Sequence, residues 1–249
     1  MIDIREYILG QMKRHGFRNS RIKGQHPGHT ISVGGLCIEF MHTKYMDYEL
    51  GDIGYTNSKA RQLIRGYLEK QTYLDWIAAL KKQQTFGSID ADIMMFPGGS
   101  HGHERGPCIT AMGFRDTRVE KPTLTVFSRS SEFPHKFLAD LWLLTGIAEA
   151  MNQLQVIDPR PIQVRWFISL TWMDCRTINY LRVMKNPIQP PYSKSEEFEF
   201  RTKQQWEVYI DSDKAVSFST LRNLKKLHQG GKKVSTLTPG SLAELMGVL

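Results

Sequence analysis

Cys108 follows Pro107 and a glycine-rich run, Phe96 to Gly106, that also carries His101, His103, Glu104 and Arg105. A thiol is a useful nucleophile only as thiolate, and a nearby cation favours that form; Arg105 is close enough in sequence to supply one. The same cysteine also reads as a small hydrophobe, the common fate of a free thiol in a core. His101 and His103 flank Gly102, and imidazoles in a loop can donate hydrogen bonds or move protons near neutral pH. As metal ligands they have no third partner at a recognisable spacing and do not form HExxH, so no metal site is predicted.

A second group begins 21 residues after the cysteine, with Arg129 and Ser130 ending one alternating run. A guanidinium and a hydroxyl at a strand end make a compact donor set for phosphate, because arginine grips its oxygens two at a time. A surface arginine on a turn would look the same. Glu132, His135 and Lys136 follow directly. Asp174, Arg176 and Tyr180 close a later run; Asp174 can orient Arg176, accept from a substrate, or form a structural ion pair. Arg18, Arg21 and Lys23 form a basic cluster near the start of the chain.

These residues need a frame, and composition supplies the outline of one. The chain has 249 residues, 41% apolar and 23% charged, enough to bury a core without disulfides or metal. Three cysteines without a CxxC pair fit a reducing compartment. No leader pattern opens the sequence and no apolar stretch approaches a membrane span, so a soluble, intracellular protein is expected. The 33 basic against 25 acidic residues give a formal charge of +8, which favours anionic partners without naming one.

The spacing predicts a helix over 2–12 ending near Gly16, then strands in TISVGGLCIEF with a tight turn at Gly34-Gly35. Ser58 is a candidate N-cap for a helix carrying Ala60, Leu63, Ile64, Tyr67 and Leu68. A second helix is expected over 73–83. Strands follow in CITAMGF, TLTVFS and VRWFISLTW, with a turn at SEFP. KFLADLWLLTGIAEAMNQL is the strongest helix, and its wide apolar surface predicts burial at the centre of the domain. Further strands are expected in FEFRTKQQWEVYI, and short helices over 219–228 and 241–246. Helices early and in the middle, with strands mainly later, indicate α+β. The expected organisation is one domain over 1–249, with 186–249 its least defined part.

The order Pro107-Cys108, Arg129-Ser130, then Pro134-His135-Lys136 before the buried helix resembles the thymidylate synthase superfamily, which includes the pyrimidine hydroxymethylases. The resemblance implies a mixed sheet packed on a buried central helix. It also implies that Cys108 is the nucleophile, that Arg129 and Ser130 hold the nucleotide phosphate, and that Arg21, or Arg18, does so from the N-terminal loop. The family's asparagine, which reads the pyrimidine edge, falls on Lys136. Its Gly-Asp-x-His-x-Tyr motif falls on residues 173–178 and keeps only Asp174; Arg176 and Ile178 replace the histidine and tyrosine, with Tyr180 a shifted substitute. Glu69 lies near the expected catalytic glutamate but off register.

The activity implied is transfer of a one-carbon group, methyl or hydroxymethyl, to C5 of a pyrimidine nucleotide through a cysteine–C6 adduct. His103 or His135 would move protons, and 5,10-methylenetetrahydrofolate would be the cofactor. A homodimer is implied too, in the cytoplasm of a bacterium or a virus-infected cell. The missing His and Tyr keep open a second reading, a non-catalytic nucleotide- or nucleic-acid-binding relative. A cysteine hydrolase using His101 or His103 would need an orienting Asn or Asp that the sequence does not suggest.

Overall fold

The computed structural model describes residues 4–18, 30–84, 87–96, 108–133, 135–153, 160–174, 230–231 and 233–246. Helix α1 spans Ile4–His15, followed by strands β1 (Phe17–Arg18) and β2 (Thr30–Met41). Helices α2 (Asn57–Tyr67) and α3 (Lys70–Gln84) come next. Strands β3 (Ile89–Met95), β4 (Ile109–Asp116), β5 (Thr123–Ser128) and β6 (Ser131–Glu132) lead to helix α4 (His135–Gln153). Strand β7 (Gln163–Asp174) and, near the end of the chain, helix α5 (Leu242–Met246) complete the described strands and α-helices, with short 3-10 turns at His42–Tyr45, Leu50–Ile53 and Pro239–Ser241.

The strands form one mixed sheet in the order β1-β2-β7-β5-β4-β3. The β5–β7 pair is parallel, and α4 lies on the connection between them, as a parallel pair requires. Their residues alternate as a half-buried sheet dictates: Leu124, Val126, Val164, Trp166 and Ile168 point inward, while Phe127, Phe167 and Ser169 face out. Strand β6 pairs with β7 in the register that β5 began, Ser128 opposite Ile168 and Ser131 opposite Thr171. Arg129 and Ser130 therefore occupy a break in what is otherwise one line of chain along β7.

Helix α4 is buried from Phe137 through Ala148 without interruption. One side stacks on the sheet, where Phe137 meets Trp166 with ring centroids 4.8 Å apart. The other side is covered by the C-terminal segment: the Trp142 indole donates to the Leu237 carbonyl at 3.1 Å, and Gly146 faces Pro239 and Leu242. Farther along, buried His42 ties the helix to the start of β7. Its Nδ1 accepts from the Ile162 N–H at 2.9 Å, which leaves Nε2 to donate to Glu149 at 3.0 Å.

Several sequence expectations need correction. Gly34-Gly35 makes no hairpin: β2 runs straight through, paired with β7 on both sides, and Gly35 absorbs a local kink with φ +67°. The N-cap of α2 is Thr56, whose side chain accepts from the Lys59 N–H; Ser58 lies inside the first turn. The second helix starts earlier, at Lys70. Strand β3 went unrecognised because Ile89-Asp90-Ala91-Asp92 puts acidic residues into a strand pattern. The residues SEFP, read as a turn, contain β6. The segments expected over 198–210 and 219–228 lie outside the described residues.

The contact at Gly146 gives a direct test of how the C-terminal segment is seated. A methyl there would stand 2.8 Å from the Pro239 carbonyl oxygen and 2.9 Å from Leu242 Cβ. Gly146→Ala is expected to lower stability by about 1–3 kcal/mol in denaturant unfolding, despite the helix preference of alanine. Unchanged or increased stability would show that the segment yields without cost.

Candidate functional site

The expected nucleophile sits at the end of the sheet where the parallel strands finish. Cys108 immediately precedes β4 and is half-buried. Its carbonyl accepts from the Arg129 N–H at 2.8 Å, so the β4–β5 pairing extends to the break in the strand line. That backbone bond brings Ser130 beside the cysteine, with Ser130 Oγ 3.9 Å from Cys108 Sγ. In sheets with parallel strands, ligand sites collect at such carboxyl ends, where loops diverge from a rigid frame.

Behind the cysteine lies a polar group that the sequence reading did not single out. Asp140, on the buried stretch of α4, is 1% exposed. Ser131 Oγ donates to its Oδ2 at 2.8 Å, while Oδ1 makes no hydrogen bond. Tyr67, the last residue of α2, lies close enough to act on both Asp140 and Cys108. Burial raises the Tyr67 phenol far above its ordinary range, and the neighbouring Asp140 and Cys108 add to the shift. Tyr55 is pushed up to about 12, first by burial and then by Asp140 and Glu132. Both phenols are thus neutral donors at physiological pH.

Burial also raises Asp140, to about 7, against the opposing pull of Ser131, Tyr67 and the positive charge of Lys136. Lys136 precedes Asp140 by one helical turn, the spacing at which side chains on a helix meet. A carboxyl that is half-ionised near neutrality can hold or release a proton, which few buried aspartates do. The sequence signal for it was present: Asp140 is the one acidic residue within Phe137–Ala148.

Of the residues predicted for the site, Cys108 and Ser130 come together, and Arg129 adjoins them with its side chain exposed. Lys136 is exposed on the first turn of α4, and His135 opens that helix. Asp174 ends β7, opposite Thr30. Arg21, His103, Arg105, Arg176 and Tyr180 lie outside the described residues, as do His101 and Cys175. Glu69 is accounted for otherwise. Its carboxylate accepts from the Gln71 and Thr72 N–H groups at 3.2 and 2.6 Å, capping α3, and the Thr72 side chain together with these backbone bonds holds it below the usual carboxylate range.

The raised Asp140 has a consequence for stability. A carboxyl that titrates higher in the fold than in the unfolded chain costs nothing below its unfolded pKa of about 4. The cost grows as pH rises through its folded value near 7. Asp140→Asn removes that charge and keeps an acceptor for Ser131. It should therefore raise the melting temperature at about pH 8, with the gain shrinking toward zero near pH 4. A loss of stability at pH 8 would show that the carboxylate is well compensated.

No family model and no curated protein matches the chain. Among solved structures, thermostable thymidylate synthase A from Bacillus subtilis matches with a TM-score of 0.54 and 10% sequence identity. The match covers 76% of this chain and 84% of that one. At that identity the likeness speaks for the backbone alone, and it agrees with the α+β arrangement of a mixed sheet on a buried helix. The chain is a distant structural relative of thymidylate synthase, built on the same fold.

Proposed function

We propose that the chain transfers a one-carbon group, methyl or hydroxymethyl, to C5 of a pyrimidine nucleotide through a covalent Cys108–C6 adduct. The observation that supports this best is the meeting of Cys108 and Ser130 at the carboxyl ends of the parallel strands, on this fold. C5 of a pyrimidine is a poor nucleophile until electrons are pushed toward it. As the sulfur bonds to C6, the C5–C6 π electrons shift onto the C4 carbonyl, and C5 then attacks the one-carbon unit. Loss of the C5 proton and expulsion of the sulfur restore the ring.

In this reading Arg129 and Ser130, with Arg21 and Arg105, hold the phosphate and set the ring over the sulfur, which lowers the barrier by positioning. Lys136 faces the carbonyl edge of the base. Asp174, Arg176 and Tyr180 meet the sugar side, and His103 or His135 carries protons. When bound, 5,10-methylenetetrahydrofolate would supply the one-carbon unit at the methylene level and, for a methyl product, also the hydride that reduces it, whereas a hydroxymethyl product takes up water instead.

The outer face of the sheet supports a homodimer. Phe127 and Phe167 stack there with centroids 5.3 Å apart, yet remain 41% and 36% exposed. Aromatic residues exposed on a flat sheet face are what an interface between copies would cover. No helix among the described residues is long and apolar enough to cross a membrane, in keeping with work in the cytoplasm.

One observation favours the second reading, a binding protein without this chemistry: Glu69 is committed to capping α3. Salt separates the two readings. A mononucleotide site neutralises few charges, whereas a nucleic-acid binder loses affinity steeply as salt rises.

The decisive assay is tritium release from C5-labelled dUMP, dCMP, UMP and CMP, with and without the folate. Wild type should release tritium from at least one, and Cys108→Ser from none. Equal release by both proteins would remove Cys108 from the chemistry. For the dimer, Phe127→Lys should convert a sedimenting dimer to a monomer with unchanged circular dichroism; a wild-type monomer would refute the interface.

A further inference from the structure

The proposed reaction consumes a thiolate, and the described part of the site contains a group placed to receive the thiol proton. Asp140 is enclosed in α4, with Oδ2 satisfied by Ser131 and Oδ1 without a hydrogen bond. Tyr67, at the end of α2, lies close enough to interact with both this carboxyl and Cys108. A carboxyl enclosed this fully is costly, and core packing alone would favour leucine or alanine here. The groups acting on Asp140 from the surrounding elements are Ser131 of β6, Tyr67 of α2 and Lys136 one turn earlier on α4, and its own charge, with that of Glu132, bears on Tyr55 just before α2.

We propose that Cys108 and Asp140 share one proton across the Tyr67 hydroxyl, so that Asp140, acting through Tyr67, ionises the thiol. The step balances without an outside reagent. The S–H proton passes to the Tyr67 oxygen as the Tyr67 proton passes to the Asp140 carboxylate. Thiol and carboxylate become thiolate and carboxylic acid, and the sulfur lone pair is free to attack. Expulsion of the sulfur at the end of a cycle returns the proton by the same route.

The electrostatics suit this role. Two negative charges cannot both be held cheaply around one buried hydroxyl, so the pair titrates as a unit. Asp140 is half-ionised near pH 7, where a proton acceptor is most effective, and Lys136 supports its charged form. Tyr67, held neutral by burial, can relay a proton without ionising itself.

This inference rests on the reading of Cys108 as a nucleophile, but its test needs no substrate. Iodoacetamide alkylation of Cys108 is followed by peptide mass spectrometry from about pH 5.5 to 9 in wild type, Asp140→Asn and Tyr67→Phe. Peptide resolution separates Cys108 from Cys37 and Cys175. Wild type should show a rise in rate centred near pH 7, followed by a plateau. Both variants should lose that step and react only at the higher pH where an unassisted thiol titrates. Unfolding curves confirm that each variant is folded.

Identical profiles in wild type and Asp140→Asn would overturn the shared proton, as would a Cys108 that resists alkylation throughout. Loss of the step only in Asp140→Asn would remove Tyr67 from the path and overturn the relay. If the step is present but no nucleotide loses C5 tritium, the substrate reading fails and the relay stands.

Discussion

The architecture depends on one constraint: α4 is buried on every side and must be covered on every side. A helix with so much apolar surface cannot rest on a sheet alone. The parallel β5–β7 pair supports one flank through the Phe137–Trp166 stack, and the connection through α4 is what makes that pairing parallel. The opposite flank is closed by residues from far along the chain, where Leu237 accepts from Trp142 and Leu242 packs on Gly146. His42 fixes the far end through Glu149 and Ile162. With the helix held this firmly, its first turns become a rigid wall for whatever sits at the carboxyl ends of the strands.

That rigidity explains why a carboxyl can persist at Asp140. In a softer region water would reach it, or the side chain would turn outward. Here Ser131 and Tyr67 meet the carboxyl inside a packed core, and burial keeps it reluctant to ionise. Carrying the charged form of this carboxyl in the core costs stability at neutral pH and leaves a titratable group inside the fold. By contrast, buried Asp116 at the opposite end of β4 is paired with Arg160, whose guanidinium also donates to the Arg118 and Glu120 carbonyls at 3.2 and 3.1 Å. One buried aspartate is held by a guanidinium, the other by neutral hydroxyls.

Much of the frame was legible because periodicity reports burial directly. The alternation in TLTVFS and VRWFISLTW gave two strands of the core, and the apolar surface of KFLADLWLLTGIAEAM gave α4 and its burial. The turn expected at Gly34-Gly35 failed because two glycines signal a bend as readily as a kink within a strand. Only the partner strand, β7, decides between them. At the site, Cys108 and Arg129-Ser130 were read as separate roles; that the two meet follows from the β4–β5 pairing, which spacing along the chain does not show. Asp140 was legible as a charge in an apolar helix, but periodicity reports only that the helix is buried and not what its carboxyl meets. Tyr67 was counted as part of an apolar face, because a phenol in a helix pattern does not announce what its hydroxyl will meet.

The central claim is that Cys108 adds covalently to a pyrimidine ring. A fluorine at C5 cannot depart as the proton does, so a 5-fluoropyrimidine nucleotide with the folate should stop the reaction as a stable adduct. Intact-mass spectrometry with peptide mapping should then show the added mass of nucleotide and cofactor on Cys108, and none in Cys108→Ser. An unchanged mass in wild type across fluorinated uracil and cytosine nucleotides, or an adduct on another residue, would contradict the account.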